Sequence, residues 1–92
     1  MAGMEFSEET VADLVRRLRR AEGQVRGVQA MLQEGRDCRE IVTQISAVSK
    51  AVDQVGFVLV AAGLEWCLAN PEAAAAAGYE LADVQRMFLK LS

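Results

Sequence analysis

The 92-residue sequence contains no histidine, no glycine-rich phosphate loop and no cluster of carboxylates. Histidine is the side chain that most often serves as a general base and as a metal ligand. The sequence therefore does not indicate an enzyme, and we expect no cofactor and no histidine-based metal site.

Targeting and membrane signals are also missing. The N-terminus lacks the basic stretch and apolar core of a signal peptide, and the apolar run at 55–62 is too short to cross a bilayer. We therefore expect a cytoplasmic protein with no membrane partner. In that compartment two cysteines are more often free, metal-binding or redox-sensing than joined in a permanent disulfide.

The residues that are present predict one small domain, 1–92, that assembles with copies of itself. Apolar residues make up 52% of the chain, which is more than one small core needs, and so small a domain is often marginal alone. The net charge of −3 argues against a nucleic-acid partner, but the distribution of charge matters more than the sum. Five of the ten basic residues lie between Arg16 and Arg26.

Apolar residues at alternating steps of three and four predict a first long helix over 7–34. Ser7 or Thr10 is the expected N-cap, and Gly35 is the expected residue after its end. Its apolar seam consists of Val11, Leu14, Leu18, Ala21, Val25, Val28 and Leu32.

A second seam with the same spacing predicts a helix over 38–69, ended by Asn70 and Pro71. Asp37 and Glu40 have the spacing of a capping box at its start. An alanine-rich turn and a short third helix complete the chain, with no strand. The second seam consists of Ile41, Ile45, Val48, Val52, Val55, Leu59, Ala62 and Trp66, and the third helix presents Leu81, Val84, Met87 and Phe88.

Arginines of the first helix share a polar face opposite its seam, within an arc of roughly 120°. Guanidinium groups make bidentate, charge-assisted contacts with phosphate oxygens, so this face suits double-stranded DNA. Charge alone also permits a solvated face that Glu9, Asp13 and Glu22 partly neutralise. No aromatic residue lies among the arginines, which disfavours stacking on single strands. The face consists of Arg16, Arg19, Arg20 and Arg26, with Arg17 on its flank.

Cys38 lies in the first turn of the second helix, where the helix dipole stabilises a thiolate, and Cys67 lies near the opposite end. Cys38 is thus expected to be the nucleophile and Cys67 the resolving thiol. The 29 positions between them span about 43 Å of helix, whereas a disulfide needs Cα atoms about 5.5 Å apart. An antiparallel partner helix would bring Cys38 beside Cys67 of another subunit. The alternative is that both cysteines are small core hydrophobes.

Two segments resemble the signatures of the CsoR/RcnR family of metal- and sulfur-sensing repressors. They are RLRRAEGQVRGV at 17–28 and Cys38 followed by IVTQISAV at 41–48. The resemblance implies a three-helix protomer, an antiparallel four-helix-bundle dimer and a tetramer made of two dimers. It also implies repression by the ligand-free tetramer on operator DNA, and release when an inducer is sensed.

The resemblance implies which inducer-binding residues are kept. Copper-sensing members use a cysteine, a histidine and a second cysteine, whose positions are Cys38, Gly63 and Cys67 here. Glycine offers no side-chain ligand, so the three-coordinate Cu(I) site is absent. Two cysteines without the histidine are similar to the persulfide-sensing, CstR-like branch, in which reactive sulfur joins the cysteines across subunits.

Other branches match less well. Nickel- and cobalt-sensing members need histidines, and formaldehyde-sensing members keep only the first cysteine and have proline at position 2, which is Ala2 here. A helix 2 position that is basic in many members is Gln54, and Lys50, one turn earlier, is expected to replace it in contacting DNA.

The sequence is therefore compatible with three functions. The first is a repressor released from DNA when reactive sulfur links Cys38 and Cys67 between subunits. The second is a Cu(I) sensor holding the ion between two thiolates, which soft thiolate ligands allow. The third is a helical scaffold with no inducer.

Overall fold

The computed structural model describes residues 5–92, and within this range it contains four helices and no strand. Helix α1 spans Glu8–Glu34, α2 spans Cys38–Ala69, α3 spans Pro71–Ala76 and α4 spans Leu81–Leu91. The all-helical prediction is confirmed, as are the bounds of the two long helices.

Helix α1 is capped at both ends. The Ser7 hydroxyl accepts a hydrogen bond from the Thr10 backbone N–H at 3.1 Å, so Ser7 and not Thr10 is the N-cap. Phe6 and Val11, on either side of this cap, line one surface groove, as in a hydrophobic staple. Gly35 ends the helix with φ 72°, a left-handed conformation that favours glycine.

The capping box predicted at the start of α2 is wrong. Asp37 is the N-cap residue, but its side chain makes no capping hydrogen bond. Both acids are instead drawn into ion pairs, because Glu40 accepts from the Arg36 Nε at 3.0 Å and Asp37 lies 3.8 Å from the Arg39 Nε.

The alanine-rich segment after Pro71 is a short helix, not a turn, so the protomer has four helices where three were predicted. Alanine has the highest helix propensity, and proline suits a first helical turn. The next helix, α4, begins with a capping box. The Asp83 carboxylate accepts from the Glu80 backbone N–H at 2.9 Å. This contact lowers the pKa of Asp83.

Helices α1 and α2 form an antiparallel hairpin, and the two short helices pack on α2. Asp13 near the start of α1 lines a groove together with Val58 and Glu65 of α2. Helix α4 packs tightly on α2 at Gly56, where an added Cβ would lie 2.8 Å from a Leu91 methyl carbon.

A single chain does not complete a core. Its radius of gyration is 17.1 Å, whereas a compact chain of this length has about 12 Å. Most residues of both predicted seams remain half-buried or exposed, which supports the prediction of an oligomer. The buried apolar residues in the described range are Leu14, Ala21, Ile41, Ala74 and Val84.

Helix α2 is long and apolar enough to span a membrane by length and composition, with a mean hydropathy of 1.5 over its most apolar window. The prediction that the chain has no stretch of this length is therefore wrong, because it considered the run at 55–62 alone. Only 6% of that window is buried inside the chain. The exposed apolar residues of this helix, among them Ile45, Val52 and Leu59, lie on one side of α2.

Candidate functional site

The hairpin has an apolar face and a basic face. One side of α1 packs on α2 through Leu14 and Ala21, the next side is apolar but exposed, and the third carries the arginines. Because both helices are right-handed and run in opposite directions, their exposed apolar sides lie on the same face of the hairpin. This apolar face includes Val11, Leu18, Val25, Ile45, Val52 and Leu59, each 42–51% exposed.

The predicted arginine face is exposed, and one acid contacts its edge. Arg17 is half-buried and donates from its Nε to Asp13 at 3.0 Å, while the Arg16 guanidinium lies 3.9 Å from the same carboxylate. Within residues 5–92, Arg19, Arg20 and Arg26 form no ion pair. Of the three acids expected to neutralise this face, only Asp13 forms ion pairs with it among the described residues, which leaves most of its charge unpaired.

Lys50 and Gln54 lie on α2 and are both exposed. The antiparallel register puts Lys50 level with the middle of α1, and helical geometry puts it on the same side of the hairpin as Arg16 and Arg20. The cationic surface predicted from one helix therefore extends onto the second.

Cys38 is exposed in the first turn of α2 and is a free thiol. The cations beside it are engaged by acids. Arg36 is held by Glu40 at 3.0 Å and by Glu34 at 3.7 Å, and these contacts, the hydrogen bond to Glu40 first, raise the pKa of Arg36. The arginines on both sides of Cys38 are thus paired with carboxylates.

Cys67, the second free thiol, is half-buried near the C-terminal end of α2. Helix α2 is continuous over Cys38–Ala69. About 43 Å of helix therefore separates the two cysteines of one chain. At about 100° per residue, the two cysteines fall within roughly 20° of each other around the helix. They therefore mark the two ends of one stripe, and they do not meet within a chain.

Gly63 is buried one turn before Cys67. A cavity of about 270 Å³ beside it is lined by Phe6 and by Tyr79 and Met87 from the C-terminal part of the chain. Among the described residues, no three or more His, Cys, Asp or Glu side chains are grouped to hold a metal ion within one chain. The two thiols are soft donors that suit Cu(I), but one chain cannot present both to the same ion.

Sequence reasoning missed the pairing of Arg17 with Asp13 and the cavity at Gly63. The first has a local signal, since acid and base lie four residues apart on one helix. The second depends on how α4 crosses α2, which no local pattern gives. Ala2, at the position where formaldehyde-sensing members have proline, lies outside the described residues.

Comparison with known proteins identifies the class. The family model described as metal-sensitive transcriptional repressor matches residues 10–90. The chain therefore belongs to this family, which consists of transcriptional repressors and not of enzymes. The prediction of a CsoR/RcnR-type repressor is confirmed at this level.

Individual relatives are copper sensors. The copper-sensing transcriptional repressor RicR of Mycobacterium tuberculosis is 45% identical over 53 residues, covering 58% of this chain and 55% of RicR. The copper-sensing repressor CsoR of Bacillus subtilis is 42% identical over 57 residues, covering 62% of this chain and 56% of CsoR. The chain thus matches about half the length of these curated relatives.

The fold matches a solved structure over nearly its whole length. The crystal structure of the copper-sensing repressor CsoR with Cu(I) from Geobacillus thermodenitrificans has a TM-score of 0.79 and 32% identity. The match covers 96% of this chain and 92% of that one. None of the relatives named here is described as a persulfide sensor, so the CstR-like branch favoured by the sequence is not confirmed.

Proposed function

We propose that this single-domain protein is a cytoplasmic repressor that binds operator DNA and is released when Cys38 of one subunit and Cys67 of another engage one inducer. The observation that carries the proposal is the stripe on α2. It presents both cysteines on one side of an unbroken helix, too far apart to act within a chain.

An antiparallel pair of α2 helices would satisfy this geometry. The midpoint between Cys38 and Cys67 falls at Val52 and Asp53, and Val52 is an exposed residue of the apolar face. A twofold axis there makes an isologous contact that places each Cys38 beside the partner's Cys67. Covering the apolar face of the hairpin supplies the hydrophobic contribution that the single chain lacks. Two such dimers would form the homotetramer.

The proposed DNA surface is the basic face, formed by Arg16, Arg17, Arg19, Arg20, Arg26 and Lys50. It lies on the side of the hairpin away from the apolar face, so pairing of subunits leaves it accessible. Arginine forks suit phosphate oxygens. Arg17 contributes least, because Asp13 already occupies its guanidinium at 3.0 Å.

Cu(I) is the inducer that the comparisons favour. Both named curated relatives and the matched crystal structure are copper-sensing repressors. The donors in this chain are the two thiols, which would bind Cu(I) through two soft thiolates. Gly63 adds no side-chain donor, so we expect a two-coordinate site, weaker than one that also includes a histidine.

Reactive sulfur is a second candidate, favoured by the same Gly63 and by the two free thiols. In that case the Cys38 thiolate would attack the sulfur of a persulfide or polysulfide and expel a thiol or shorter polysulfide. The Cys67 thiolate of the partner would then displace sulfide from the modified Cys38. The product is a disulfide or polysulfide between subunits, and the oxidising equivalents come from the reactive sulfur species.

One titration separates the candidates. The protein is bound to duplex DNA from upstream of its own coding sequence, and Cu(I) or tetrasulfide is added without oxygen, with Cys38→Ser as the matched control. We expect Cu(I) to weaken DNA binding by about tenfold or more, and to have no effect on the control. Release by tetrasulfide alone would favour reactive sulfur. Failure to bind any DNA would leave only a helical scaffold.

A further inference from the structure

Helix α1 carries two interior glycines that the fold of the chain does not explain. Gly23 and Gly27 are exposed, and a Cβ added at either would meet nothing within 4 Å. Glycine is among the least favourable residues inside a helix, and alanine is the most favourable. Neither glycine is in the left-handed region, so no turn requires it. Contact with another molecule would explain why both positions are glycine.

Their position on the helix indicates what kind of molecule makes this contact. At about 100° per residue, Gly23 and Gly27 lie in the middle of the arginine arc. Arg19 and Arg26 lie on one side of them and Arg20 lies on the other, while Arg16 lies in line with them about two turns nearer the N-terminus. The cationic face is therefore a patch of bare helix backbone with arginines on both sides and at its N-terminal end.

Charge along this face agrees with a polyanionic partner. Its acids are Glu8, Glu9 and Glu34, which lie at the two ends of α1. The stretch from Arg16 to Arg26 is about 15 Å long, which matches the rise of roughly four base pairs of duplex DNA. A phosphodiester strand lying directly on the helix would place its oxygens within reach of the arginines around the glycines.

We propose that Gly23 and Gly27 form a strip on which the sugar–phosphate backbone of duplex DNA lies in direct contact with helix α1. This glycine strip rests on the proposed function, since it describes how the basic face meets DNA. A methyl group at either position would hold the strand away from the helix and lengthen the arginine–phosphate contacts on both sides. The two glycines thus lower the stability of the helix in exchange for a closer approach to DNA.

The test uses a mixed-sequence 40-base-pair duplex at low salt, because backbone contacts do not depend on sequence. The variants are Gly23→Ala with Gly27→Ala, and Gly23→Leu with Gly27→Leu. Gln85→Ala is the control, since Gln85 is exposed on α4, outside the hairpin that carries the basic and apolar faces. Fluorescence anisotropy gives the Kd, thermal unfolding gives the Tm, and sedimentation gives the mass of the assembly.

The double alanine variant should raise the Tm by several degrees and yet weaken DNA binding by about tenfold. The leucine variant should weaken binding further, and the control should bind like the parent. Opposite changes in stability and affinity are not expected of residues with a purely structural role.

Parent-like affinity in the leucine variant would overturn the glycine strip. So would equal weakening in Gln85→Ala, or weakening accompanied by a change in assembly mass, since the glycines would then lie at a subunit contact. A parent protein that binds no duplex would instead contradict the proposed function, before any variant is compared.

Discussion

The two ends of helix α2 differ in their surroundings, although each carries one cysteine. At the N-terminal end Cys38 is exposed and is surrounded by ion-paired charges. At the C-terminal end Cys67 is half-buried, close to the α3 and α4 segments that pack on this part of α2. The difference suggests separate roles, in which Cys38 meets the inducer first and Cys67 completes its capture.

The largest expected effect comes from removing either thiol. Cys38→Ser and Cys67→Ser should each abolish release from DNA, because one remaining sulfur cannot bridge two subunits. With persulfide, mass spectrometry should find a modified Cys38 left in Cys67→Ser, and little modification in Cys38→Ser. DNA binding without inducer should match the parent. Normal release in Cys38→Ser would end the assignment of the exposed cysteine as the first to react.

Substitution at Gly63 tests whether the Cu(I) site near Cys67 lacks a third metal ligand. Gly63→His should raise the affinity for Cu(I) on the order of a hundredfold, because imidazole adds a third donor one turn from Cys67. Gly63→Ala is the matched control, which adds bulk without a donor. Competition with a Cu(I) chelator measures the Cu(I) affinity of both variants. A three-coordinate Cu(I) spectrum from the unmodified protein would refute the claim that its site has two donors.

The packing of α4 on α2 near Cys67 can be weakened without substituting either cysteine. Val84 of α4 is 4% exposed and lines grooves with α2, so Val84→Ala should lower the free energy of unfolding by about 2 kcal/mol. Alkylation should become faster at Cys67 and stay unchanged at Cys38. Equal acceleration at both cysteines would mean that the two ends are not separately protected.

The smallest effect concerns the cap of α4. The folded-state pKa of Asp83 is lowered, chiefly by the Glu80 backbone N–H. The stabilisation of α4 by the Asp83 carboxylate is therefore present above pH 3.8, the pKa of Asp83 in the unfolded chain. It is lost as the pH falls through the lower pKa of Asp83 in the folded chain. Asp83→Ala should speed hydrogen exchange in the first turn of α4 at pH 7, and should match the parent in acid. A difference that persists in acid would show that the carboxylate charge is not the cause.

Local signals in the sequence predicted the two long helices to within a residue. Ser7, Gly35 and the step from Asn70 to Pro71 are caps and breaks whose effect depends on near neighbours. The capping box at Asp37 failed because arginines at 36 and 39 compete for the same carboxylates. The helix at 71–76 was missed because an alanine run beside a proline was interpreted as a turn.

The candidate site was only partly accessible from sequence. Spacing alone gave the arginine arc and the separation of the cysteines, since both follow from regular helix geometry. It did not give the cavity at Gly63, the exposure difference between Cys38 and Cys67, or the open space at Gly23. These depend on how α4 crosses α2 and on which side of α1 stays uncovered.

The most direct test of the central claim mixes two inactive proteins. Cys38→Ser subunits are unfolded and refolded together with Cys67→Ser subunits, and release from DNA by Cu(I) or tetrasulfide is measured against each protein refolded alone. In a mixed dimer, Cys38 of one subunit faces Cys67 of the other, so one complete site is restored. The account predicts that the mixture regains a partial response while each protein alone gives none. A mixture as inactive as its components, with mixed assemblies present by mass, would contradict sensing between subunits.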